Sequence, residues 1–269
     1  MAAKNTITHK LISNIKVFWA YLIINLKTIL EYKTSSIIQF IAMFFNDIVW
    51  ISFWWIFFAK FPLINDWTYH DLLILWSIGA MGYGLSGVFL GNRHLIGDII
   101  VQGKLDYYLA LPKNVLFHSL ITRMPASPFG DLVFGIILAI LTLQTTQLPL
   151  FLLLAIMATL ILSSFGVIIG SLSFFFQNSE KMNTTLWNMA VGLTLYPTNV
   201  YEGLAKIVLF VIIPVGFVAG VPTEIIRSPS IEGIATMAFV TLVIGLIAII
   251  LFYTGLKRYE SGNLLYVNS

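Results

Sequence analysis

From Lys10 to Lys33 the apolar positions recur every three or four residues. At 100° per residue, Leu11, Ile15, Phe18, Trp19, Leu22, Leu26, Ile29 and Leu30 share one face. Ser13, Asn14, Lys16, Asn25, Lys27, Thr28 and Glu31 take the opposite side, with Val17 and Ile24 as exceptions. This pattern predicts an amphipathic helix over 10–33 lying in a bilayer interface. The alternative, a first crossing, places Lys16 and Lys27 in or close to hydrocarbon, which is costly. Beyond Lys33 the helical period gives way to near-continuous apolar stretches. They run from Ile37 to Ala59, Leu72 to Leu90, Ala126 to Leu143, Leu148 to Phe176, Thr184 to Tyr196, Leu204 to Val221, and Ile234 to Tyr253. A crossing helix needs about 20 residues. Leu204 to Val221 is interrupted by Pro214, Gly216 and Gly220 and stops at Pro222.

Charge position turns these stretches into a topology. Lys4, Lys10, Lys16, Lys27 and Lys33 precede the first stretch, and Arg93, Lys104, Lys113 and Arg123 fall between the second and third. Lys181 follows the fourth, and Lys257 and Arg258 follow the last. Placing all of them in the cytoplasm satisfies the positive-inside rule and leaves Lys60, Lys206 and Arg227 outside. Both termini inside requires an even number of crossings, so one stretch does not cross. The interrupted one is the candidate, because broken backbone at membrane depth needs protein or water to cover it. The expected fold is all-α: a polytopic membrane protein forming one transmembrane domain over 1–269, with six spans at 37–59, 72–90, 115–143, 148–176, 181–197 and 234–254. An outer re-entrant hairpin is expected at 201–222. Seven spans with the C-terminus outside is the alternative.

Composition agrees and excludes much. Hydrophobic residues make up 58% and charged residues 10% of the 269, against about 25% charged in a soluble domain. No cysteine is present, which removes disulfides and thiol chemistry. A net charge of +3 is too small to suggest nucleic-acid binding. The first ten residues are polar, and no short apolar core with a cleavage site follows, so no cleavable signal peptide is expected. No phosphate loop, H-E-x-x-H or G-x-S-x-G motif occurs, and His9, His70, His94 and His118 lack metal-ligand spacing. No catalytic or metal residue and no cofactor of the chain's own is expected.

The polar segment "GDIIVQGKLDYYLALPKN", Gly97 to Asn114, interrupts this apolar background. Leu95, Ile96, Ile99 and Ile100 recur at helical spacing, Asp98 and Gln102 face away, and Gly103 is a natural stop. Such a helix either rests on the membrane surface or docks its isoleucines in a partner's groove. The stretch around it carries a G-x-L-D-x-Y-L-x-x-P pattern at Gly103, Leu105, Asp106, Tyr108, Leu109 and Pro112. Together with "YPTNVYEGLAKIVLFVIIPVGFVAGVPTEII" and the ending "GLKRYESGN", it resembles the permease subunit of an ABC exporter of the ABC-2 type. The resemblance covers essentially the whole chain.

The resemblance implies a coupling region over 93–111, with Arg93, Leu95, Ile96, Asp98, Ile99, Ile100, Gly103 and Asp106 meeting a separate ATPase. It further implies two ATPase copies holding ATP and magnesium, a second permease chain, identical or homologous, and a bacterial inner membrane. An ion- or proton-coupled carrier and a non-transporting scaffold are the other readings.

Candidate path residues come from depth. Asp47, beside Asn46, lies mid-way along the first span, where a carboxylate suggests function or a hydrogen-bonded partner on another helix. Asp131 follows Pro125 and Pro128. Pairing it with Arg123, about 12 Å away along a helix, requires a break at the prolines. Tyr196, Tyr201 and Glu202 sit in an outer turn as candidate exit residues or solvated loop residues. Trp50, Trp54, Trp55 and Phe58 read as an interface belt, or as a gate or dimer seam.

Overall fold

A computed structural model describes residues 2–176, 179–194 and 196–260, and for residues 2–12 the backbone alone. Leu195 of the expected 181–197 span, the Leu11 side chain, and Ser261 to Asn263 of the terminal motif lie outside the described residues. The described residues are helical, with no strand among them.

Helix α1 (Ala2–Glu31) is joined to α2 (Lys33–Lys60) at Tyr32. The α1 edge bearing Ser13, Asn14 and Tyr21 turns toward the protein, where Lys113 donates to Ser13 and His118 pairs with the Tyr21 hydroxyl at 2.7 Å. Ile15, Trp19, Leu26 and Leu30 remain exposed.

Helix α3 (Tyr69–Phe89) is the centre of the molecule. It starts at a capping box. The Thr68 hydroxyl accepts from the Asp71 N–H at 3.3 Å, and the Asp71 carboxylate accepts from the Thr68 N–H at 2.9 Å. Ser77, Gly79, Ala80, Gly82, Gly84, Ser86 and Gly87 are all buried, so α3 presents small residues on several sides. Small residues let helix backbones approach closely. A Cβ at Gly135 of α7 (below) would stand 2.9 Å from the Met81 nitrogen, and Ser77 donates to the Gly135 carbonyl at 2.8 Å.

Three short helices follow: α4 (Ile96–Val101), α5 (Leu105–Leu109) and α6 (Val115–Ile121). Helix α7 (Pro128–Thr142) starts at a proline, whose missing N–H is harmless there. The stretch expected as one span over 115–143 is therefore two helices, parted at 122–127, where Pro125 and Pro128 interrupt the ladder. Helix α8 (Leu148–Ser171) is extended by 3₁₀ turns at both ends and packs on α3 and on the last helix. Helix α9 (Glu180–Thr194) is amphipathic. The expected re-entrant stretch holds α10 (Gly203–Ile207), a π turn at 208–212, a 3₁₀ turn at Pro214–Phe217 and α11 (Gly220–Arg227). The two arms, Gly203–Ile212 and Pro214–Arg227, bend by 68° at Ile213. Helix α12 (Ile231–Leu256) closes the chain, its N-terminus capped by the Ser230 hydroxyl.

By length and composition α2, α3, α8 with its flanking turns, and α12 suffice to cross a membrane, and the bent pair is either a broken fifth span or a re-entrant loop. Helix α7 is apolar but has only 15 residues. The chain is a multi-pass membrane protein whose α2 and α12 are left mostly uncovered, as lipid-facing helices are.

Candidate functional site: a charged cavity between α2, α3, α7 and α9

The site begins with a close helix crossing. Gly130 lies against α2, where an added Cβ would come within 2.8 Å of the Phe40 carbonyl and 3.0 Å of Met43. One residue along α7 is Asp131, and one turn along α2 from Met43 is Asp47. The crossing therefore sets the two carboxyls beside each other. Asp47 is 4% exposed and Asp131 7%. Oδ2 of Asp47 is buried and has no hydrogen-bond partner.

The turn after α3 supplies the opposite charge. Asn92 fixes it, donating to the Ser119 carbonyl at 2.7 Å and to the Thr122 hydroxyl at 2.8 Å. Gly166 lets the turn press on α8, since a Cβ there would stand 2.6 Å from the Arg93 carbonyl. Arg93 points inward, 6% exposed, with its guanidinium 5.1 Å over the Trp187 ring. Its Nε is unpartnered. Among the described residues the ion pair is Arg227–Asp71, so no carboxylate reaches Arg93 within 4 Å. Burial pulls the guanidinium down to about 10, which leaves it charged at neutral pH. His94 stacks on the same Trp187, with ring centres 5.3 Å apart, and its Nδ1 is also unpartnered. Burial, then the Arg93 and Arg123 charges, hold its imidazole down at about 4, so it is neutral.

These groups line one cavity of about 490 Å³. Trp50, Leu75, Trp76 and Val191 give it apolar walls, and Asn46 and Asn188 add amides. Asp131 meets Asp47 rather than Arg123. The helix does break at the prolines, but Arg123 is exposed.

The segment expected to meet an ATPase is arranged differently from its pattern. Ile96, Ile99 and Ile100 are buried within the protein, together with Leu105, Tyr108, Val167 and Phe252. The apolar face assigned to a partner's groove is used inside the chain. Glycines permit it. A Cβ at Gly170 would stand 2.7 Å from Ile96, and one at Gly97 would collide with the Asn183 amide. Leu95 is half-buried, Gly103 takes φ +68° and ends the turn, and Asp106 is half-buried. What faces outward is polar. Asp98 of α4 and Gln102, its C-cap, face Glu180, Lys181 and Thr184 of α9 across a cleft of about 520 Å³. Burial, then Glu180, push the Asp98 carboxyl up.

A family model described as ABC-2 family transporter protein matches residues 44–262. The chain belongs to the ABC-2 transporter family. No curated protein and no solved structure matches it. Permeases of the ABC-2 family are membrane components that usually work with an ATPase partner. The matched span begins within α2 and takes in Asp47, Arg93 and Asp131, leaving out α1.

The remaining expected path residues of this ABC-2 protein lie elsewhere. Tyr196 is 38% exposed and sits edge-on to Trp54 at 5.6 Å. Tyr201 donates to the Leu193 carbonyl at 3.4 Å, and Glu202 is exposed. None of the three lines the cavity. The tryptophan cluster divides: Trp54 and Phe58 are buried with Trp67 and Trp76, while Trp55 is 61% exposed.

Sequence reasoning missed the clamp at the α3 N-terminus. Arg227 pairs with Asp71 at 3.1 Å, donates to the Asp66 carbonyl at 3.0 Å and lies 5.9 Å over Trp67. The T-x-x-D spacing of Thr68 and Asp71 marks the cap, but nothing local points to Arg227.

Proposed function

We propose that this protein is the membrane permease subunit of an ATP-driven exporter. It forms half of the translocation path and leaves ATP and magnesium to a separate ATPase present in two copies. A second permease chain, identical or homologous, completes the assembly in a bacterial inner membrane. Both termini are cytoplasmic. The six crossings take α7 and α9 as short spans, with the bent 203–227 pair re-entering from outside. The observation that carries this reading is the family match across 44–262. The Asp98, Gln102, Glu180 and Lys181 surface supports it as the ATPase contact, being polar and outward, with Asp98 and Gln102 close in sequence to the Arg93 turn that borders the cavity. A rigid α4 packed on α8 transmits a push as a body.

The paired carboxyls favour a second reading, an ion-coupled carrier. Two like charges in contact in a buried site are costly unless a proton or cation lies between them. Capture from mild-detergent extracts separates the two. A tagged wild-type chain is expected to bring down an ATPase with a phosphate loop, and Asp98→Arg with Gln102→Arg is expected to lose it while still inserting. A chain that captures no ATPase and moves ions alone in liposomes is a carrier.

A further inference from the structure

The residues that line the cavity are chemically complementary to a particular class of molecule. Arg93 holds a buried guanidinium with an unbonded Nε and no carboxylate in reach, which calls for an acceptor carrying negative charge. His94 lines the same cavity, and its neutral ring carries one further N–H donor. Asp47 and Asp131 set two carboxyls side by side in the cavity lining, an arrangement that a shared proton or an incoming cationic donor relieves. Arg93 does not meet this need from within. It is held over Trp187, and its Nη1 stands 3.4 Å from where a Cβ of Gly87 would be. Between the two charged ends the walls are aromatic and aliphatic. The volume of about 490 Å³ lies within the roughly 300–1,000 Å³ typical of small-molecule sites.

We infer that this cavity binds a small amphoteric molecule, its anionic group held by Arg93 and His94 and its ammonium group held by Asp47 and Asp131, with an apolar body against Trp50 and Trp76. The inference rests on the reading of the cavity as part of an export path and names what that path accepts. An amphoteric group has two sources, a free solute or the head group of an aminophospholipid.

The test is a titration of the purified full-length chain with the dipeptide phenylalanylphenylalanine, its N-acetyl form and its C-terminal amide, read by calorimetry. The free dipeptide is expected to bind saturably, and each blocked form about tenfold more weakly. Arg93→Gln should erase the difference between acid and amide. Asp47→Asn with Asp131→Asn should erase the difference between amine and acetyl. Competition by lysophosphatidylethanolamine assigns the site to a lipid head group, and its absence assigns it to a solute. Blocked forms binding as tightly as the free dipeptide, or no saturable binding of any form, overturns the inference. ATPase capture by the wild-type chain is read separately. Capture without charge-dependent binding sinks the ligand class alone, whereas charge-dependent binding without capture sinks the exporter reading.

Discussion

The two ends of α3 each carry an arginine laid over a tryptophan, and the two are opposites. At the N-terminal end Arg227 has an aspartate at 3.1 Å, a carbonyl at 3.0 Å and Trp67 beneath it. Beyond the C-terminal end Arg93 has Trp187 and no carboxylate within reach, although it is the more buried of the two. A charge whose donors are used holds a structure together. A buried charge left incomplete costs stability and is retained where it acts on something that arrives later. The same helix thus joins a clamp whose charges are paired to a cavity bordered by a charge that is not.

The largest effect is expected where the site is built. Gly130→Leu forces a side chain into the α2 backbone and should cost at least about 2 kcal/mol, seen as loss of monodisperse protein. Next come the arginines, which should respond in opposite directions. Arg227→Met is expected to lower stability by about 1 kcal/mol, and Arg93→Met to leave it unchanged or raise it, both by thermal melt in detergent. Equal losses would end the contrast.

A pH effect follows from His94. Its folded value of about 4 lies below the ordinary 6.5, so the unfolded chain takes up the proton first as pH falls. Its contribution is whole above pH 6.5 and declines as pH falls from there toward 4. His94→Gln should flatten that part of the melt profile. The smallest effect is expected at Gly245 on α12, where an added Cβ meets only the Ser164 hydroxyl at 3.8 Å. Gly245→Ala should raise stability by about 0.5 kcal/mol, because alanine loses less chain freedom than glycine in a helix interior and little opposes the methyl.

What the sequence conveyed depended on whether a signal was local. The long apolar runs placed α3, α8 and α12 within a few residues, because a run of that length with few charges has one stable home. The T-x-x-D cap of α3 is a local signal as well, although sequence reasoning did not use it. The division at 122–127 was only half legible, since Pro125 and Pro128 can kink a helix or end one. Asp47 and Asp131 were each recognisable by depth, but their contact depends on the Gly130 crossing, which no periodicity records. The resemblance places Arg93 in the coupling region, yet the Gly166 contact turns it into the cavity. The isoleucines of α4 show the same limit. Helical spacing identified their face as apolar, and the glycines at 97 and 170 decided what covers it.

The absence of cysteine makes the most direct test clean. A single cysteine replacing Asn188, which lines the cavity, is labelled with a water-soluble maleimide in native membranes, with and without ATP. Labelling is expected without nucleotide, with a several-fold change in its rate when ATP is added, if a partner ATPase moves the walls of this cavity as proposed. An identical rate under both conditions would contradict the claim that the cavity belongs to an ATP-driven path.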